Sequence, residues 1–197
     1  KYFDIPLRNV VPKPVQKPHP PLWMACSQLQ TIERAGENGF GALGFQFVSA
    51  DDAHAWVHAY YNAITKRLKK LADYVINPNM ALVSFFMCAE TDEEADLLSR
   101  SREVWAMRLR TLGNPGPVPS VEEALEAAKQ PGSERWLPAL RRRSVVGSPK
   151  TVRAGLERHA AAYEVDEIMA VTICYDFEKR KRSYELLAAE FNLNPSS

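Results

Sequence analysis

Ser27 and Gln30 stand three residues apart where the apolar run Leu22-Trp23-Met24-Ala25-Cys26 gives way to a helical pattern. An S-x-x-Q spacing closes a capping box in any helix, and the free N–H groups of a helix start also receive anions, so the pair supports a structural and a binding reading alike. Cys26, directly before Ser27, has that helix start but no evident base to make it a nucleophile. His54 and His58, at i and i+4, share a helix face that can bind a metal; without an H-E-x-x-H pattern or a third ligand they read as solvated surface. His19, in a proline segment, and His159, within a helix, read as structural or exposed. Arg141-Arg142-Arg143 can reach a phosphate or a nicotinamide cofactor, yet a run of arginines is more often a solvated face. Lys179-Arg180-Lys181-Arg182 reads as surface charge, placed unfavourably at the positive end of a helix. Cys26, Cys88 and Cys174 show neither metal-site spacing nor a C-x-x-C pair, so they read as reduced thiols and no metal site is expected.

The elements that must hold these residues follow from periodicity. Lys1 to Pro21 is extended and proline-rich (Pro6, Pro12, Pro14, Pro18, Pro20, Pro21), without helix or strand period. Leu22 to Cys26 reads as a buried strand, and Leu29, Ile32 and Gly36 mark the helix after it. Gly41 to Phe47 reads as a second strand. Ser49 with Asp52 then caps a helix whose stripe is Ala53, Trp56, Val57, Tyr60, Ile64 and Leu71. Met80 to Cys88 is a third strand, followed by a Thr91/Glu94 cap and a helix marked by Ala95, Leu98, Trp105, Leu109 and Leu112. Residues 113–147 read as an inserted loop with one short helix over Val121, Leu125 and Ala128, capped by Ser120 and Glu123. Ser148-Pro149 opens another helix, Glu167 to Ile173 forms a fourth strand, and Phe177, Tyr184, Leu187 and Phe191 mark the last helix.

Strands alternating with amphipathic helices require parallel pairing, because parallel neighbours need a crossover of about a dozen residues. A doubly wound sheet and a (β/α)8 barrel both satisfy the alternation; no strand is followed by G-x-G-x-x-G, which lowers the dinucleotide-binding reading. A full barrel takes about 250 residues, so four βα units in 197 residues amount to half of one. With 25 Lys+Arg against 24 Asp+Glu the chain lacks the unbalanced basic surface that nucleic acid or an anionic membrane attracts. No stretch has the roughly 18 consecutive apolar residues of a membrane span, and the first residues hold no signal-peptide core. A cytoplasmic protein without nucleic-acid or membrane partners is the expectation.

Three motifs point to one family. Val11-Pro12-Lys13-Pro14-Val15-Gln16-Lys17-Pro18-His19-Pro20-Pro21-Leu22-Trp23-Met24-Ala25 resembles the P-x-P-x-Q-x-P-x-P-P-[IL]-W-x-A segment that enters the fifth strand of luciferase-like flavin monooxygenases. Val146 to Val152 (VGSPKTV) resembles the V-G-[ST]-P-E-x-V helix start of that family, and Val165-Asp166-Glu167-Ile168-Met169 resembles the V-D-E-[LI]-[MI] leading into its eighth strand; Arg182 to Ala188 is similar to its closing helix. The resemblance covers essentially the whole chain, 1–197, as one portion, and implies the C-terminal half of a TIM-like (β/α)8 barrel whose first four strands precede this segment.

The resemblance implies an oxidoreductase that uses reduced FMN to insert one oxygen atom of O2 into a small organic substrate. NAD(P)H or a partner reductase supplies the electrons. A deazaflavin-dependent oxidoreductase of the same fold and a catalytically silent half-barrel module are the alternatives. It places the flavin phosphate at Ala25, Cys26, Ser27 and Gln30, with the backbone N–H of Cys26 favoured over its thiol, and the ring near Ala42, Leu43, Gly44 and Gln46. Gly41 and Gly44 serve either a planar ring or close packing. Catalytic groups are expected from the first four strands, so none is assigned. Homo-oligomerisation, or completion by the missing N-terminal half, is expected.

Overall fold

The computed structural model describes residues 2–45, 53–67 and 76–193. Its centre is a parallel sheet of β1 (Trp23–Cys26), β2 (Gly41–Phe45), β3 (Met80–Cys88), β4 (Ser144–Gly147) and β5 (Glu167–Val171). β1 pairs with β2, β2 with β3, and β5 with β3 through Ala81↔Glu167 to Phe85↔Val171. Ala81, Leu82 and Val83 pair with both β2 and β5, so these two flank β3 on opposite edges. The strands β1, β2, β3 and β5 therefore lie side by side in chain order. These four show no reversal of strand order, as a doubly wound sheet would require, and this is the winding of a barrel wall, while the short β4 pairs with the end of β3 on its β2 edge. The mixed α/β class and the parallel sheet of the sequence reading stand.

Successive strand side chains point to opposite faces, and the two faces have different fates. Cys26, Ala42, Met80 and Leu82 join the buried cluster of Ile32, Ala35, Trp56, Tyr60 and Ile64, under α1 (Leu29–Glu37) and α2 (Ala53–Thr65). Phe86 and Cys88 continue that face into the cluster of Val152, Leu156, Leu186 and Leu187, under α6 (Pro149–Ala162) and α7 (Phe177–Glu190). Two glycines allow the helices this close. A Cβ on Gly36 would stand 2.7 Å from the Tyr60 carbonyl oxygen, and one on Gly44 would stand 3.0 Å from the Trp56 ring. Gly41 is likewise closed, with the Trp23 ring 2.6 Å from such a Cβ, so close packing accounts for both strand glycines.

α3 (Asp92–Leu112) departs from this layer. Met87 on the opposite strand face clusters with Ala89, Ala95, Leu98 and Cys174, and Val146 packs against them. The helix that follows β3 thus covers the other side of the sheet, and α6 takes its place in the outer layer. Residues 113–147 contain α4 (Val121–Ala128), a 3-10 turn (Ser133–Arg135), α5 (Leu137–Arg142) and β4. The strand β4 was not legible as one: Ser144-Val145-Val146-Gly147 is only four residues and pairs through Phe85↔Ser144 to Cys88↔Gly147. Thr91, Ser120 and Ser148 stand at their N-caps, and the Ser120/Glu123 capping box is complete. Leu109, Leu112 and Phe177, expected to face inward, are exposed. Gln46, the Ser49/Asp52 cap and Leu71 lie outside the described residues.

Candidate active site at the strand ends

At the β1–α1 junction the expected Ser27/Gln30 capping box does not form. Gln28 is the N-cap, its N–H donating to Thr31 Oγ1 at 3.2 Å while Thr31 Oγ1 donates to the Gln28 carbonyl at 2.7 Å. The helix starts one residue later than the S-x-x-Q spacing implies, because Thr31 satisfies the same orphan groups from the next register position. This leaves Ser27 exposed, its hydroxyl without a hydrogen-bond partner among the described residues, directly before the unpaired N–H groups of the first turn. Gln30 is exposed as well.

Cys26 turns the other way. Its thiol is fully buried and donates to the carbonyls of Met24 and Thr31, both at 3.3 Å, and burial pushes its pKa up to about 11. The whole residue, backbone included, is buried. Cys88 and Cys174 are also buried free thiols with pKa values raised mainly by burial, so all three cysteines lack the depressed pKa of a nucleophile.

The strand face away from the α1–α2 layer presents Ala25 directly opposite Leu43, in a row that continues through Ala81 to Glu167; the next row is Phe45, Val83 and Met169. Trp23 is 37% and Met169 48% exposed, so the outer parts of this apolar face lie open while Val83 and Phe85 at its centre are buried. The structure thus brings Ala25 and Leu43 together beside Ser27. Ala42 and Gly44 face the helices instead.

Polar contacts fix the mouth around β3. The Ser183 hydroxyl accepts from the Cys88 N–H at 2.9 Å, and Arg182 and Lys179 pair with Glu90 and Glu94 at 2.8 and 2.6 Å. The basic run at the start of α7 is therefore offset by the acidic start of α3, which removes the dipole conflict read from sequence. Asp92 accepts from the Ser148 N–H at 2.6 Å, and this bond holds its carboxyl below the usual aspartate range. Behind them, Glu103 is buried between Arg100 and Arg141, each 3.3 Å away; burial pushes its carboxyl pKa up, and Arg100 and Arg102 oppose that rise. Arg141 is thus an internal partner. The sequence reading places Ser99 to Glu103 inside the helix marked by Ala95, Leu98 and Trp105 and does not single them out, since serine, arginine and glutamate on a helix ordinarily face solvent.

The histidines form no site. His54 and His58 are exposed, with His54 Nδ1 4.0 Å from the Glu164 carboxylate, and the described residues contain no cluster able to hold a metal ion. His159 Nδ1 lies 3.1 Å from the buried Ser84 hydroxyl on the helix side, its pKa lowered by burial. No helix among the described residues is long and apolar enough to cross a membrane.

Strands in barrel order, with an open apolar face and donors at their C-terminal ends, define part of a (β/α)-barrel wall. Residues 1–165 match the family model of luciferase-like monooxygenase, and the chain belongs to that family. It is similar to the uncharacterized protein YceB of Bacillus subtilis, 30% identical over 188 residues that cover 95% of this chain and 55% of YceB. Among solved structures it superposes on apo-MsnO8 with a TM-score of 0.74 at 27% identity, covering 93% of this chain and 54% of that one. The oxygenating constituent of 3,6-diketocamphane monooxygenase from Pseudomonas putida, solved in complex with FMN, shares the fold with a TM-score of 0.58 at 20% identity (87% and 48% covered). So does the coenzyme F420-dependent tetrahydromethanopterin reductase of Methanopyrus kandleri, with a TM-score of 0.53 at 18% identity (86% and 49% covered). The chain spans about half the length of the curated relatives it matches, and its fold is about half of a luciferase-like TIM barrel.

Proposed function

We propose that this chain carries the phosphate side of a flavin site in an FMN-dependent oxygenase, with the rest of the active site supplied by the other half of the barrel. The observation that carries the reading is Ser27: an exposed hydroxyl without an internal partner, at a strand end and directly before the open N–H groups of α1. A phosphate monoester carries about −1.5 to −2 charges, and hydroxyl and N–H donors at a positive helix end bind it by charge-assisted hydrogen bonds. Ser27 and the first-turn N–H groups up to Gln30 would hold the phosphate, with the buried Cys26 seating the junction behind them. Ala25 and Leu43 offer an apolar wall to the ring side, and Gln46, which follows β2, is proposed with them.

Bound reduced flavin supplies the electrons with which O2 is activated for transfer of one oxygen atom to a small organic substrate; NAD(P)H or a partner reductase would reduce the flavin. This chain's own residues bind, orient and exclude water: the donors anchor one end of the cofactor, and the apolar rows keep the face beside it dry. The catalytic acid or base is assigned to the other half of the barrel, and a cytoplasmic location is part of the reading.

The test is a fluorescence titration of the full chain with FMN, riboflavin and a phosphate-bearing deazaflavin. FMN is expected to bind more tightly than riboflavin, which lacks the phosphate. Equal affinity for both would remove the phosphate site, and preference for the deazaflavin would replace the oxygenase with a deazaflavin-dependent oxidoreductase.

A further inference from the structure

Around Phe85 the molecule collects hydrogen-bond donors without matching acceptors. Arg102 of α3 is 4% exposed, its Cζ stands 5.0 Å from the centroid of the Phe85 ring, and one of its N–H groups donates to the Leu140 carbonyl at 3.0 Å. A guanidinium has five N–H donors, so most of this one is unmatched. Its neighbour Glu103, the buried carboxylate that attracts it, is hydrogen-bonded instead to Arg100, Arg141 and Ser99, so three arginines share one buried carboxylate. Ser144 is the register partner of Phe85, which puts its side chain on the same sheet face as the ring. The Ser144 hydroxyl is buried without a partner, and so is that of Ser101, the residue before Arg102. Burial lowers the Arg102 pKa to about 10, which leaves it a cation at neutral pH.

A buried cation that must share a carboxylate with two other arginines is under-compensated, and two buried hydroxyls without acceptors add to that cost. One negatively charged acceptor group resolves the imbalance. We propose that Arg102, with the hydroxyls of Ser144 and Ser101, is an anion-recognition point that takes a carboxylate, whose carbon skeleton lies against the apolar sheet face. The Leu140 carbonyl of α5 is the neutral acceptor that a carboxylate displaces, and the Arg141–Glu103 pair ties α5 to α3 beside it. The inference rests on the flavoenzyme reading only in calling the carboxylate a substrate.

The experiment is a thermal-shift titration of the full chain with sodium acetate, against acetamide and against sodium chloride at matched ionic strength. Acetate is expected to raise the melting temperature saturably while the other two do not. Arg102→Met, which keeps the packing volume, should abolish the acetate response while the fold is retained, because Glu103 keeps Arg100 and Arg141 as ion-pair partners. Ser144→Ala should weaken the response about tenfold, and it decides the matter if Arg102→Met does not fold. No saturable acetate effect in the parent, or an undiminished one in either variant, overturns the site. Hexanoate distinguishes the source: tighter binding than acetate supports an organic substrate whose skeleton uses the apolar face, and equal binding overturns that part. FMN titration of both variants is expected to be unchanged, so failure of the anion site and failure of the flavin reading register separately.

Discussion

Ser27→Ala separates binding from folding at the β1–α1 junction. Because the cap belongs to Gln28 and Thr31, and the Ser27 hydroxyl is exposed without an internal partner, removing it deletes nothing that holds the fold together. An exposed substitution of this kind stays within about 0.5 kcal/mol in stability. The same hydroxyl on a phosphate makes a hydrogen bond to a charged group worth about 1.5 to 3 kcal/mol, which is roughly tenfold to 150-fold in dissociation constant. FMN affinity should fall by that factor, riboflavin affinity should not move, and the melting temperature should stay. Thr31→Val is the control: it deletes the reciprocal cap bonds, costs about 1 kcal/mol, and should lower the melting temperature by roughly 2 to 4 °C in a chain of this size. The assay is paired FMN and riboflavin titration with a thermal melt on each variant. A melting temperature that drops in Ser27→Ala while FMN affinity holds would show that Ser27 serves the helix and not the ligand. Equal losses for FMN and riboflavin would place the hydroxyl against the ring.

Three further outcomes follow from the packing and charges. Asp92 has a folded-state pKa below its unfolded value, so its stabilising bond to Ser148 is fully present above the unfolded value and is lost as pH falls through the folded one; Asp92→Asn should therefore flatten the acid limb of a melting-temperature profile against pH, and an unchanged limb would refute this. Gly155→Ala would set a Cβ 2.2 Å from Val145 Cγ1, and the branched side chain must move with it. That overpacking should cost about 1 to 3 kcal/mol, read in denaturant melts, while a neutral result would mean that α6 slides freely over β4. The open face, with Trp23 and Met169 part-exposed beside Ala25 and Leu43, should make the 197-residue chain alone self-associate or pair with a complementary half; light scattering after size exclusion checks it, and a soluble monomer that binds flavin tightly would refute it.

The strands and outer helices were legible because each carries its period in its own residues. Trp56, Val57, Tyr60 and Ile64 lie on one stripe of α2 and are all buried, and the nine residues of β3 are apolar enough to be buried on both faces, as they are. The proline-tryptophan motif before β1, the VGSP helix start and the VDEIM strand entry carried the family. Local patterning could not decide which side of the sheet a helix takes. α3 reads like every other amphipathic helix in the chain, yet it covers the Met87 face, and only that placement buries Ser101, Arg102 and Glu103, three residues whose types predict solvent. The cap at α1 shows the same limit at smaller scale: Ser27/Gln30 and Gln28/Thr31 are equally spaced pairs, and the choice falls to the second because Cys26 turns into the core and donates its thiol to the Thr31 carbonyl. Strand order, too, is a property of pairing. An alternation of strands and helices fits a doubly wound sheet and a barrel alike, and it is the shared partners of Ala81, Leu82 and Val83 that set β1, β2, β3 and β5 side by side in chain order, since a hydrogen-bond ladder joins residues that the sequence keeps far apart.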